Sequence, residues 1–213
     1  MAVNVAISGF GRIGRLVLRS IIESKRKDIN VVAINDLAPV DTNAFLLAND
    51  TVHGPLNEKI SVKKNKMTIG RKTISVLNER DPQKLPWKKM KIDVALECTG
   101  LFTSKEKASM HIKAGAKKVL VSAPCSEADK TIVYGVNEQE ITRNDLVVSN
   151  ASCTTNCLAP VVKVLHEKFG IVHGYMTTIH AFTGDQSVLD TFHPDLRRAR
   201  AASMSMIPTS TGA

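Results

Sequence analysis

Residues 3–24, "VNVAISGFGRIGRLVLRSIIES", change character midway. "VNVAISG" (3–9) is a short apolar run of the kind a buried strand needs, whereas "RIGRLVLRSIIES" (12–24) spaces its apolar residues at helical period. Between them lies Gly9-Phe10-Gly11-Arg12-Ile13-Gly14, a GxGxxG that follows a strand and opens a helix. Gly9 permits the tight turn, Gly11 lets backbone approach a pyrophosphate, Gly14 allows close helix–strand packing, and the helix N-terminus faces the phosphates. "INVVAIND" (29–36) is a second buried strand that completes a βαβ unit, and Asp36 ends it, 22 residues beyond Gly14. A carboxylate there can accept hydrogen bonds from adenosine ribose hydroxyls and would repel a 2′-phosphate, so the pattern predicts NAD over NADP. The bland alternative is a glycine-rich turn without a ligand; strand, helix and acid in register weigh against it.

Working outward, Asp41 can cap a short apolar helix in "TNAFLLAND" (42–50), and "KISVKKNKMTIGRKTISVL" (59–77) alternates like two or three exposed antiparallel strands. Buried strands return at "IDVALEC" (92–98), "KKVLVSA" (117–123) and "LVVSN" (146–150). "SKEKASMHIKAGA" (104–116) is an intervening helix, capped by Ser104 and stopped near Gly115. Parallel strands with helical crossovers imply an α/β fold with a Rossmann-type doubly wound parallel sheet.

The chain has 213 residues and is 43% hydrophobic, enough to supply a core for one large domain or two small ones. No window approaches a membrane span, and the N-terminus lacks signal-peptide features, so the expected address is cytoplasmic. A net charge of +9 raises the possibility of nucleic acid, but the lysines are dispersed through segments such as "SVKKNKMTIGRK" and "PWKKMK", and aromatics make up only 4%. That leaves no base-stacking platform, and nucleic acid is not expected as the primary partner. The surplus charge would instead draw small phosphorylated substrates toward the surface. Cys98, Cys125, Cys153 and Cys157 read as reduced thiols, and His166 and His173 match no metal spacing, so no metal is expected.

A second informative stretch is "LVVSNASCTTNC" (146–157), where an apolar strand gives way to hydroxyls, amides and two cysteines before a helical pattern begins. Backbone N–H groups at a helix start favour an anion, which makes position 153 a place for a thiolate. Cys157, one turn further on, is expected to pack on the inner face of the helix. Pro160 should kink the helix or end a short first piece. Taken alone, His180 reads more readily as a packed strand histidine than as a catalytic one.

"SNASCTTNCLAP", read with "ISGFGRIGR", "HAFTGDQ", "DLRRARAA" and "PTSTGA", resembles the phosphorylating glyceraldehyde-3-phosphate dehydrogenase family from residue 3 to the end. The resemblance implies Cys153 as nucleophile and His180 as its base. It implies that Ser152, Thr154, Thr183, Arg197, Thr211 and Gly212 hold the substrate phosphate and the incoming inorganic phosphate. For NAD it points to Arg12, Ile13, Asp36, Arg80, Thr99, Gly100 and Ser122, beside the glycines at 9, 11 and 14. It further implies an NAD-binding domain over 1–152, the first part of an α+β catalytic domain over 153–213, and a homotetramer that acts on glyceraldehyde 3-phosphate and inorganic phosphate in glycolysis. Erythrose-4-phosphate dehydrogenase shares the cysteine motif, but Thr183 and Gly212 favour the three-carbon substrate; a non-catalytic nucleotide- or RNA-binding module is the rival from another class. Thr191-Phe192 departs from the Leu-Pro common in NAD-specific bacterial members. Family members run further than Ala213, so the 213-residue chain alone is expected to be aggregation-prone or partly ordered and to show no measurable dehydrogenase activity.

Overall fold

The computed structural model describes residues 2–213. In chain order the elements are β1 (Val3–Ser8), α1 (Arg12–Glu23), β2 (Ile29–Asn35), α2 (Val40–Ala48), β3 (Asn49–Asp50), β4 (Gly54–Pro55), β5 (Ile60–Lys63), β6 (Lys66–Ile69) and β7 (Lys72–Leu77). There follow β8 (Val94–Glu97), α3 (Lys105–Ala108), α4 (Met110–Lys113), β9 (Lys118–Val121), β10 (Lys130–Thr131), β11 (Val147–Ser149) and α5 (Cys153–Phe169). Two compact units emerge, Met1–Ala151 and Ser152–Ala213.

In the first unit one sheet runs in the order β10-β11-β9-β8-β1-β2-β7-β6-β5. Every pair from β10 to β7 is parallel; only β7-β6 and β6-β5 are antiparallel. The chain winds one way from β1 to β2 and the other way from β8 to β9, so the order reverses between β1 and β8. In open α/β sheets the crevice beyond the strand ends at such a reversal is where ligands bind.

Strand periodicity explains the two cores. Ile7 and Ile34 face one side with Phe10, Leu18, Leu47, Met67 and Ile74, while their neighbours Ala6 and Ala33 face the other with Trp87, Ile92 and Ala95. The same alternation corrects the expectation of exposed strands over 59–77. Met67 and Ile74 are fully buried, because β7 pairs with β2 and brings the hairpin onto the sheet, where one face is covered.

Asp41 does not cap α2. The helix begins at Val40 after Pro39, which places Asp41 in its first turn. Ser104 does cap, accepting from the Lys107 N–H, but the run breaks into α3 and α4 at Ser109, whose hydroxyl donates to the Lys105 carbonyl at 2.6 Å. Gly115 then takes φ +105°, a left-handed conformation that favours glycine.

The second unit contains α5 and an irregular segment that forms no strand. Pro160 does not divide the helix, which continues through it to Phe169. Cys157 is exposed rather than packed inward. No helix of the described residues is long and apolar enough to cross a membrane.

Candidate functional site

In the first unit a cleft of about 330 Å³ lies at the sheet reversal, lined by Gly9, Gly11, Asp36, Arg80 and Thr99 among others. Gly9 has φ +87°, and a side chain there would lie 2.6 Å from the Thr99 nitrogen, so the turn rests directly on the chain leaving β8. A Cβ at Gly14 would collide with the Gly9 carbonyl at 2.1 Å, whereas Gly11 has open space. Gly11 is also the N-cap of α1 and supplies no side-chain cap, which leaves first-turn N–H groups available to an anion.

Asp36 is held at the rim. Its Oδ2 accepts from the Phe10 N–H at 2.7 Å and its Oδ1 from the Ala38 N–H at 2.9 Å, while lone pairs remain for a ligand. The carboxylate therefore fastens the glycine turn as well as facing the cleft. Arg12, Ile13, Gly14, Gly100 and Ser122 are not among the lining residues. Arg12 is paired with Asp50 at 3.1 Å, Ile13 is exposed, and Gly14 is spent on packing.

Sequence reasoning missed Asn35, which clamps the chain beside Arg80 by donating to the Glu79 carbonyl and accepting from the Glu79 N–H, both at 2.9 Å. An amide at the end of an otherwise apolar strand was the available signal. Cys98 also lines the cleft, but burial pushes its thiol up to about 11, so it stays protonated at neutral pH.

In the second unit Ser152 caps α5, its Oγ accepting from the Thr155 N–H at 3.0 Å, and Cys153 follows as the first helical residue. Cys153 Sγ lies 3.1 Å from His180 Nε2. His180 Nδ1 meets the Ala181 carbonyl at 2.7 Å; a carbonyl only accepts, so Nδ1 carries a proton and Nε2 is directed at sulfur. Partial burial pushes the Cys153 thiol up, but the hydrogen bond and charge of His180, with the backbone N–H and hydroxyl of Thr154, bring it below its ordinary value. The Ala181 carbonyl and then the Cys153 sulfur raise His180. Opposite shifts in the two partners move the pair toward the thiolate–imidazolium form.

A cavity of about 420 Å³ surrounds the pair and brings together Ser152, Cys153, Thr154, His180, Thr183, Thr211 and Gly212. Arg197 is not in it. Its guanidinium donates through Nε and one terminal nitrogen to Asp195, at 3.0 and 2.9 Å, and the side chain stays more than half exposed. Arg198 lines the cavity instead, donating to Thr209 Oγ1 at 2.6 Å and to the Ser210 carbonyl at 2.8 Å, with a further ion pair to Asp185. Both guanidiniums approach Asp195, but only Arg198 is anchored on the segment 209–212. Thr178 and Gln186 also line the cavity and were not foreseen.

Each site suits an anion, the first through an uncapped helix start in a glycine turn and the second through hydroxyls, helix N–H groups and an arginine around a thiol. Comparison with known proteins agrees. Residues 3–105 match the model of the glyceraldehyde 3-phosphate dehydrogenase NAD binding domain, and residues 152–213 match that of the glyceraldehyde 3-phosphate dehydrogenase C-terminal domain. The chain is 63% identical over 213 residues to a glyceraldehyde-3-phosphate dehydrogenase of Xanthobacter flavus, with all of this chain and 64% of that protein covered. It is 62% identical to one of Cereibacter sphaeroides over 213 residues, covering all of this chain and 63% of the relative. A third, from Zymomonas mobilis, is 58% identical over 214 residues, with 100% and 64% covered. The chain thus spans about 64% of the length of the curated relatives it matches. With a glycine turn at the sheet reversal, a cysteine–histidine pair at a helix start and both family models matched, the chain belongs to the glyceraldehyde-3-phosphate dehydrogenase family.

Proposed function

We propose that this chain serves NAD-dependent oxidation and phosphorylation of glyceraldehyde 3-phosphate to 1,3-bisphosphoglycerate, with residues 1–152 as the NAD-binding domain and 153–213 as part of the catalytic domain. The observation that carries the reading is the 3.1 Å approach of Cys153 Sγ to a His180 ring whose other nitrogen is tied to a carbonyl. An aldehyde carbon has no leaving hydride until a nucleophile adds to it. The Cys153 thiolate attacks the carbonyl carbon while protonated His180 gives its Nε2 proton to the carbonyl oxygen, which forms a thiohemiacetal and leaves Nε2 free to accept. His180 Nε2 takes the hydroxyl proton as the C–O bond regains double-bond character, leaving a thioester on Cys153. Bound NAD supplies the hydride acceptor for that step. Inorganic phosphate then attacks the thioester carbon and expels the Cys153 thiolate, which releases the acyl phosphate. Ser152, Thr154, Thr183, Thr211 and Arg198 supply the charge-assisted donors that two phosphate groups require.

The cleft suits NAD on its own geometry: open space over Gly11, unclaimed first-turn N–H groups, and a carboxylate at the end of β2. Asp36→Ala should weaken NAD binding by about tenfold and narrow the gap to NADP, because it removes a ribose acceptor and the repulsion of a 2′-phosphate. Calorimetric titration with both cofactors checks this, and equal affinities for wild type and variant would remove Asp36 from the site. Arg198→Ala should raise the KM for the phosphorylated aldehyde by roughly 10- to 100-fold, the scale of one charged hydrogen-bonding partner, while Arg197→Ala changes it less than about threefold. The reverse ranking in steady-state assays would return the phosphate role to Arg197.

A protein of the relatives' full length is expected to be cytoplasmic and to sediment as a homotetramer. The assay that tests the proposed function is NADH formation by such a protein. It should require glyceraldehyde 3-phosphate and inorganic phosphate together; equal rates with erythrose 4-phosphate, or rates independent of phosphate, would contradict the proposal.

A further inference from the structure

Behind the wall of the first-unit cleft, Trp87, His111 and Glu97 are almost wholly buried and joined end to end. The direction of each bond follows from chemistry. An indole N–H only donates, so the 3.0 Å contact from Trp87 Nε1 makes His111 Nδ1 the acceptor, and the ring proton sits on Nε2. That nitrogen donates to Glu97 Oε2 at 2.9 Å. Glu97 Oε1 in turn accepts from the Thr99 N–H at 2.7 Å and from the Thr99 hydroxyl, whose oxygen accepts from the Leu101 N–H at 3.0 Å. A second link runs from His111 to Phe102, whose ring stands edge-on to the imidazole at 6.5 Å.

This chain of bonds ends at the cleft. Thr99, Leu101 and Phe102 all line it, and the glycine turn at Gly9 rests on the Thr99 backbone. Packing alone does not account for such a construction, since a buried carboxylate and imidazole are costly compared with apolar residues of similar volume. We propose that Glu97, His111 and Trp87 form a positioning relay that holds the Thr99–Phe102 wall of the cofactor cleft in place, so that cofactor occupancy is felt at the Trp87 indole. The proposal rests on the reading of that cleft as the NAD site. Glu97 and His111 act through Thr99 and Phe102 rather than on the dinucleotide, and the same bonds place Thr99 under the phosphate turn.

Glu97→Gln tests it, because the amide puts a donor against a donor whichever way it turns. Facing His111, the amide NH₂ moves the ring proton to Nδ1, opposite the Trp87 N–H; facing Thr99, it opposes the Thr99 N–H. The variant should bind NAD about tenfold more weakly by calorimetry, the factor that 1.4 kcal/mol represents. Adding Trp87→Phe should recover about threefold, since it removes the opposing indole donor. A merely structural role would lower the melting temperature of Glu97→Gln while leaving its NAD affinity, measured on folded protein, equal to wild type, and that result would overturn the relay. If wild type itself fails to bind NAD, the fault lies in the cofactor reading. Should Glu97→Gln not fold, wild type decides alone. Trp87 is the single tryptophan of the chain, so its indole N–H gives one resonance. That signal should shift across an NAD titration with the calorimetric midpoint; an unmoved signal at saturating NAD overturns the proposal.

Discussion

Replacing Cys153 with serine should lower kcat by roughly 10⁴-fold or more, the scale observed when the nucleophile of a covalent mechanism is removed. The two side chains have nearly the same shape, so the loss would be chemical rather than steric. A thiol near His180 and the helix start has its ionisation brought down, whereas an alcohol in the same place remains un-ionised near neutral pH. The residue is exposed and makes no core contact that would carry stability, so the melting temperature should change little. Loss of activity with an unchanged melting curve and unchanged NAD affinity is the expected combination. A serine variant retaining a tenth of wild-type activity would remove the covalent step from the mechanism.

His180→Asn should cost about 10²- to 10⁴-fold in kcat, the usual range for a general acid–base group, and should also alter the thiol. The sign follows from the pair. His180 stabilises the thiolate, so the Cys153 pKa lies below its ordinary value in wild type and should move up when the imidazole is gone. Iodoacetamide reacts with thiolate, so the midpoint of its rate against pH should shift upward in the variant. In wild type near pH 7, Cys153 should react first. Exposed Cys157 lies a turn away from the helix start, while burial pushes both Cys125 and Cys98 up and shields them. The coupling is reciprocal: Cys153→Ser removes one of the groups that raise His180, so its titration should move down. Peptide mapping and histidine NMR read these shifts, and a His180→Asn variant with an unchanged alkylation profile would uncouple the two residues.

What could be read from sequence was local. The glycine turn, β1, α1 and Asp36 lie within one βαβ unit whose periods and breaks are written in consecutive residues. The thiol at a helix start was legible in the same way, from an apolar strand giving way to hydroxyls and amides before a helical pattern. What was missed depends on contacts distant in sequence. Alternation over 59–77 showed strands but could not show that β7 joins β2 and so buries Met67 and Ile74. An amide at the strand end marked Asn35 as a residue in need of a partner, but the partner, Glu79, lies 44 positions away. The relay through residues 87, 97, 99 and 111 has no sequence signature, because its members sit in separate elements. Arg197 and Arg198 are chemically identical neighbours, and only the folded turn, which gives the first two bonds to Asp195 and carries the second to Thr209, tells them apart. Pro160 removes one backbone donor from α5, a loss the 17-residue helix tolerates without dividing.

In the proposed mechanism Cys153 carries the oxidised substrate as a thioester. Mass analysis of the Cys153 peptide is the most direct test, using protein of the relatives' full length mixed with NAD and glyceraldehyde 3-phosphate without inorganic phosphate, quenched in acid. The expected result is an acyl adduct on Cys153 alone, formed together with one equivalent of NADH and discharged when phosphate is added before the quench. NADH formed with an unmodified Cys153, or an adduct that phosphate does not release, would contradict it.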